Sequence, residues 1–353
     1  ITVGGVITAT TFNGIPFFSD ATNNSMYTHN VSGTDSTAER NTAYGFTALD
    51  AITTGDDNVA IGFNAGGALT SGIKNILIGK DAGDSLTSGN FNIAIGTHAL
   101  QTEDAHGKNI AIGHAALEAL NAGADAYNIA VGYQAGHDIT TGVQNTIIGG
   151  NAGDALTTGY INTSLGYNTL GALITGHSNT ALGHNAMGSA NGSESKNTAV
   201  GHGALATMNA DGDNLNTAVG YNAGTSLTTG VKNTLIGGLA GDSLTTGSEN
   251  VAIGYAALIT EDAHGKNVAI GKSALTAQNA GADAYNVAVG FEAGKAVTTG
   301  VQNTIIGGLA GDALTTGGKN VAIGYLALST EDAHGDNVAI GYQALASLNA
   351  GAD

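Results

Sequence analysis

The side chains able to do chemistry are few, and they recur in fixed company. Glu103-Asp104-Ala105-His106-Gly107 returns at Glu261 to Gly265 and at Glu331 to Gly335, the last two 70 residues apart. Two carboxylates and an imidazole within four residues are a candidate acid–base or metal-ligating set. The copies are separated by at least four repeat units, roughly 19 Å at the spacing of stacked strands, so they cannot combine within one chain. Three chains around an axis would gather three copies of His106 only if His106 faced that axis; an exposed turn is the plainer expectation. His184 and His202 hold equivalent places in consecutive units and can stack, but two imidazoles without a carboxylate are an incomplete metal site. Asp81-Ala82-Gly83-Asp84 and Gly123-Ala124-Asp125 offer carboxylates and carbonyls to Ca²⁺. The Gly-Gly-x-Gly-x-Asp calcium-roll pattern is absent, however, so solvated acidic turns are expected there. Gly-x-x-x-x-Gly strings occur, none followed by the Lys-Ser/Thr of a phosphate loop. The sequence therefore predicts no enzyme: no catalytic residue, no cofactor and no metal.

Composition narrows the class further. The chain has 353 residues, of which 56 are Gly, one is Pro and none is Cys or Trp. Aromatic residues are 5% and charged residues 11%, too few for a two-domain globular enzyme, yet 42% is hydrophobic. That share comes from Ala, Ile, Leu and Val, which suit a thin core and argue against disorder. A net charge of -18 with only ten Lys and Arg, in no run, argues against a nucleic-acid partner, because phosphate binding needs Lys and Arg clusters. No apolar run of about 20 residues is present, so no membrane span is predicted.

The elements that carry these residues come from a repeat. Asn-x-small-Ile/Val-Gly recurs 18 times, with its Asn at 41, 58, 75, 92, 109, 128, 145 and so on to 337. Most spacings are 17 residues, with a few of 18 or 19. Four residues after each Asn stands a Gly; seven after stands an Ala, except at Thr169. The 19-residue units carry an Asn-Ala-Gly-Ala-Asp-Ala-Tyr insert, as at Asn121 to Tyr127, and length classes recurring every fourth unit suggest duplication of a four-unit block.

No window is long and amphipathic enough for a helical repeat. The unit reads instead as two short extended segments, Asn-Val-Ala-Ile-Gly and Ala-Gly-x-x-Leu-Thr-Thr-Gly (Ala152 to Gly159, Ala310 to Gly317), closed by a Gly turn. One unit is then one coil, and the fold class is all-β: a parallel β-solenoid, or β-roll, of about 18 coils of 17–19 residues. Stacked at about 4.8 Å, the coils would form a rod on the order of 85 Å. Stacking superposes like residues, so Asn58, Asn75, Asn92 and Asn109 are expected to form an amide ladder. Gly62, Gly79, Gly96 and Gly113 are expected to allow a tight bend or close backbone approach, and Ile61, Ile78, Ile95 and Ile112 to supply the larger apolar contacts. Val59 and Ile61 point one way and Ala60 the other, so both strand faces are apolar. Either one face packs on a neighbouring chain, as a homotrimer would satisfy, or both are internal in a flattened roll.

Asn-Val-Ala-Ile-Gly-Tyr-x-Ala, at Asn250 to Ala257, Asn320 to Ala327 and Asn337 to Ala344, resembles the head repeats of trimeric autotransporter adhesins (YadA-like heads). It is also similar to repeats of phage tail fibres, and Gly5 to Gly14 resembles a segment found near such repeats. The resemblance covers about Asn41 to Asp353 and implies a trimeric, left-handed β-roll acting as a spacer or adhesive head. The coils here are longer than those of the adhesins, and no coiled-coil stalk or outer-membrane anchor is visible, which favours the fibre.

The expected organisation is an N-terminal connector or cap over 1–40 and a solenoid over 41–353. The chain starts at Ile1 and stops inside a 19-residue insert, so it reads as a processed or partial product. Without a terminal polar cap, a head-to-tail filament in which Ile1 to Phe18 pairs with the final coil is a second possibility. The function expected is an extracellular, cell-surface or virion fibre whose partners are itself and a surface receptor or glycan, not nucleic acid. A surface adhesin and a self-stacking filament are the alternatives. Thr-Thr-Gly columns also raise ice binding, which thermal hysteresis would test.

Overall fold

The computed structural model describes residues 11–12, 15–16, 18–20, 25–27, 37–330 and 332–348. It falls into two units, Ile1–Ile161 and Asn162–Asp353. The chain is all-β among the described residues. In the first unit β1 (Thr11–Phe12) and β2 (Ile15–Pro16) pair antiparallel, as do β3 (Phe18–Asp20) and β4 (Ser25–Tyr27). Seven three-residue strands follow, β5 (Thr42–Tyr44) to β11 (Thr146–Ile148), each parallel to the next and shifted by one repeat. The second unit stacks eleven more in the same way, β12 (Thr163–Leu165) to β22 (Val338–Ile340). The parallel β-solenoid of about 18 coils is thus what the chain forms.

Two expectations need correction. The second extended segment is not a strand: Ala65 to Gly72 and its equivalents run as turns and bends. Its amides bond alternately within the coil and to the next coil, as Leu69 N to Gly66 O at 3.0 Å and Ala68 N to Asp84 O at 3.0 Å. This satisfies the backbone without a second ladder. The ladder also starts before Asn41. β4 pairs parallel with β5, and Ser25 Oγ accepts the Asn41 amide at 3.0 Å, the role Asn41 Oδ1 plays for Asn58. A Ser does one rung of an Asn ladder, which is why the Asn pattern missed it. Most of the expected 1–40 connector lies outside the described residues, as do the Ile1 to Phe18 side chains and Asn349 to Asp353.

The strands are short because both ends are fixed chemically. At the start, Asn75 is fully buried; its amide and its Nδ2 both donate to Asn58 Oδ1, at 2.9 and 3.0 Å, and Nδ2 also donates to Gly89 O at 2.9 Å. Asn58 repeats this pattern in full, and the Asn92 and Asn109 amides likewise donate to the Oδ1 of the preceding Asn, while their Nδ2 groups reach His106 O and Gly107 O. At the end, the column Gly62, Gly79, Gly96, Gly113 takes φ of +134° to +140°, a region L residues avoid. A Cβ on Gly79 would sit 2.4 Å from the carbonyl oxygen of Gly96, so bend and close approach are both required.

Inside each coil, three columns fill the core, and they trade volume. The strand centre and the residue six further on form a pair: Ala60 with Gly66, Leu77 with Gly83, Ala94 with Leu100, Ala111 with Leu117. The second unit repeats this from Ala218 and Gly224 through Leu235 and Gly241 to Ala269 and Leu275. A large strand centre thus needs glycine in its own coil and in the one before. A Cβ on Gly66 would lie 2.6 Å from Leu77 Cδ1, and one on Gly83 2.9 Å from Leu77 Cδ2. The four-coil period of the sequence matches this packing cycle, because the space shared by these two positions admits at most one bulky group per level. The third column is Ile52, Leu69, Leu86 and, in the second unit, Leu227 and Leu244, all fully buried.

Candidate functional site

With a strand of three residues, only the middle side chain can enter the core; its two neighbours point out. Ala60 is fully buried while Val59 is half-buried and Ile61 is 39% exposed. The column Ile61, Ile78, Ile95, Ile112 therefore lies on the outer face, and the larger internal contacts come from the leucines of the core columns. In this chain the Val and Ile face is at the surface, which is not the arrangement of a flattened roll. Across all 18 coils neither outward strand position carries a charge.

Beyond the glycine of each coil, the next residue continues this face. It is Phe, Tyr or His in 12 of 18 coils, a periodic signal present in the sequence. In the first unit Phe46 stacks on Phe63 at 6.1 Å between centroids, and His114 on Tyr133 at 5.3 Å. In the second, Tyr167, His184, His202 and Tyr221 form one continuous stack at 5.5, 5.1 and 5.4 Å. Stacked like this, the rings shield each other's faces and present their edges. Each unit thus carries a hydrophobic strand face bordered by an aromatic column, far more apolar than the acidic turns around it.

The acidic turns have partners of their own. Lys108 Nζ meets Asp125 Oδ2 at 2.7 Å and Tyr127 OH at 2.9 Å, and its cation and the Gly107 amide hold the Asp125 carboxyl below its usual range. Asp81 is paired with Lys80 at 3.0 Å and accepts Asn64 Nδ2 at 3.1 Å, whereas burial pushes Asp84 upward. Neither turn presents a ring of free carboxylates of the kind Ca²⁺ needs. In the Thr-Thr-Gly turns the first hydroxyl is spent within the stack, Thr53 Oγ1 donating to Thr70 O and Thr70 Oγ1 to Thr87 O, each at 3.0 Å. His106 is not stacked on a neighbouring ring; it lies against Glu103, with Nδ1 3.4 Å from Oε1.

No protein-family model, no curated protein and no solved structure matches this chain. No helix among the described residues is long and apolar enough to cross a membrane.

Proposed function

We propose that the chain is the spacer and attachment segment of an extracellular or virion fibre, working as a homotrimer joined through its outer strand face. The observation that carries this reading is the uncharged strand face, largely Val, Ile and Thr, present on every coil and bordered by an aromatic or His ring on 12 of 18. A single chain leaves it in water at about 25 cal/mol per Å², a cost that each added coil increases. Heterologous or cyclic packing of identical faces removes that cost at every level at once. The similarity of Asn250 to Ala257 and its copies to adhesin heads and phage fibre repeats supports the same assembly. On this reading the chain does no catalysis; its partners are its own copies and a receptor or glycan.

Light scattering on the size-exclusion-purified full chain tests the assembly. The expected mass is about three times 34.7 kDa, unchanged on dilution to low micromolar concentration. A single-chain mass throughout overturns the trimer, and continuous polymers under the electron microscope would instead indicate a filament.

A further inference from the structure

The third core column contains a residue that does not belong there. It runs Ile52, Leu69, Leu86 and then Glu103, before returning to Leu120; in the second unit Leu227 and Leu244 are followed by Glu261. Both glutamates are fully buried. An ionised carboxylate in a leucine position is costly unless something compensates its charge. Backbone amides do so only in part. Glu103 accepts from His106 N at 3.0 Å and Ala122 N at 3.3 Å, and Glu261 accepts from His264 N at 3.1 Å. Glu261 Oε2 has no hydrogen-bond partner, and neither does Nδ1 of His106 or His264, although all three atoms are buried. Gln278, the residue after Glu261 in the column, also leaves its Nε2 unpaired. The nearby lysines do not supply the missing cation: Lys108 is taken by Asp125 and Lys266 by Asp283.

What the glutamates do face is a set of metal ligands. Ligand atoms of Glu103, Asp104 and His106 lie within 4.8 Å of one another, and so do those of Glu261, Asp262 and His264. The imidazole Nδ1 stands 3.4 Å from Glu103 Oε1 in one copy and 3.7 Å from Glu261 Oε1 in the other. That is too long for a good hydrogen bond. It is close to the separation of about 3.4 Å between two tetrahedral ligands of Zn²⁺ at their usual bond lengths. Asp104 and Asp262 are exposed and able to swing onto the ion, and each histidine is 30% exposed, which leaves an entry path and a place for water as fourth ligand. Two units of the chain build the same arrangement independently.

We propose that the turns Glu103-Asp104-x-His106 and Glu261-Asp262-x-His264 each bind a divalent transition-metal ion of the Zn²⁺ type, held by the buried glutamate, the exposed aspartate and the histidine Nδ1. The ion would tie the turn to the core column beneath it and complete a level where leucine packing is missing. This goes beyond the fibre reading and does not depend on it, since each site lies within one chain.

Isothermal titration of Zn²⁺ into the chelator-treated full chain tests the proposal. At least two equivalents are expected, with a rise in the thermal midpoint at saturation. His106→Ala and His264→Ala should each remove one equivalent and the double substitution two, while His184→Ala with His202→Ala should remove none. Asp104→Asn and Asp262→Asn, at exposed positions, should weaken the same equivalents at least tenfold without altering the circular dichroism. A plain Glu–His ion pair would give no saturable uptake, and that result overturns the site. So does uptake undiminished by the double histidine substitution, which would place the metal elsewhere.

Discussion

At the residue scale the solenoid depends on side chains with almost no substitutes. An Asn can both accept from the amide one coil on and donate to a glycine carbonyl of its own coil; Asp lacks the donor and would stack buried charges. Where the Ala column is broken by Thr169, the strand centre is Ser164 instead of an apolar residue, and the two buried hydroxyls hydrogen-bond each other. Each hydroxyl also reaches a backbone carbonyl, Thr169 Oγ1 donating to Gly166 O at 3.0 Å and Ser164 Oγ lying 3.2 Å from Thr169 O, so both polar groups are satisfied in the core. Glycines divide just as sharply. Gly220 has φ +145° and an added Cβ would sit 2.5 Å from the carbonyl of Gly237, whereas nothing lies within 4 Å of a Cβ on Gly123. Gly220→Ala is expected to destabilise the fold by roughly 3 kcal/mol or more, and Gly123→Ala by no more than about 0.5 kcal/mol. Denaturant melts of the two variants check this; equal midpoints would contradict the role given to the glycine column.

At the scale of the coil, the turns that follow the volume-trading strands carry half-buried aspartates. Burial holds the carboxyls of Asp84, Asp154, Asp242 and Asp312 above their usual range, and the buried Oδ1 atoms of Asp242 and Asp312 have no partner. A carboxyl with a raised folded pKa binds its proton more readily when folded. It therefore adds stability below its unfolded value, and that stability is lost as pH rises through the folded one. The thermal midpoint should rise as pH falls from 7 toward about 4.5, helped by the smaller net charge. Asp57, Asp125 and Asp283 act in the opposite sense, because hydrogen bonds from Arg40, Lys108 and Lys266 hold them low; being exposed, they contribute little and only at lower pH. Asp242→Asn removes one of the raised groups and should lift the midpoint at pH 7 by about 1–3 °C while flattening the pH dependence. A midpoint that falls steadily from pH 7 to 5 in the unmodified chain would refute this account.

At the scale of the whole molecule, an acidic chain of net charge -18 keeps one uncharged face on every coil. If identical faces pack together, a single charge there is buried at each subunit contact. Ile253→Lys should then reduce the trimer to single chains, a threefold loss of mass, with the β-sheet circular dichroism retained. Ile253 is half-buried at an outward strand position, whereas Ala252 beside it fills the core, so its replacement leaves the core columns in place. Retention of the trimer by this variant would place the contact elsewhere on the chain.

The repeat, the parallel stacking, the Asn ladder and the strained glycines were legible in the sequence because stacking superposes identical residues, so periodicity maps directly onto contacts. The exclusion of one strand face from the core was legible only as a choice. A residue alternation says that Ala60 and Ile61 face apart, but not which of them is inside; that depended on how much volume the turns leave within a coil, and they leave room for Ala. The turns themselves were misread as a second strand because Leu-Thr-Thr-Gly has the composition of either, and hydrogen bonds to the next coil decide between them. The ladder rung at Ser25 escaped notice because only geometry equates a Ser with an Asn. Glu103 and Glu261 belong to a motif whose sequence reads as an exposed turn; only the tertiary structure puts them in a column of leucines, since burial belongs to the coil spacing and not to the residue.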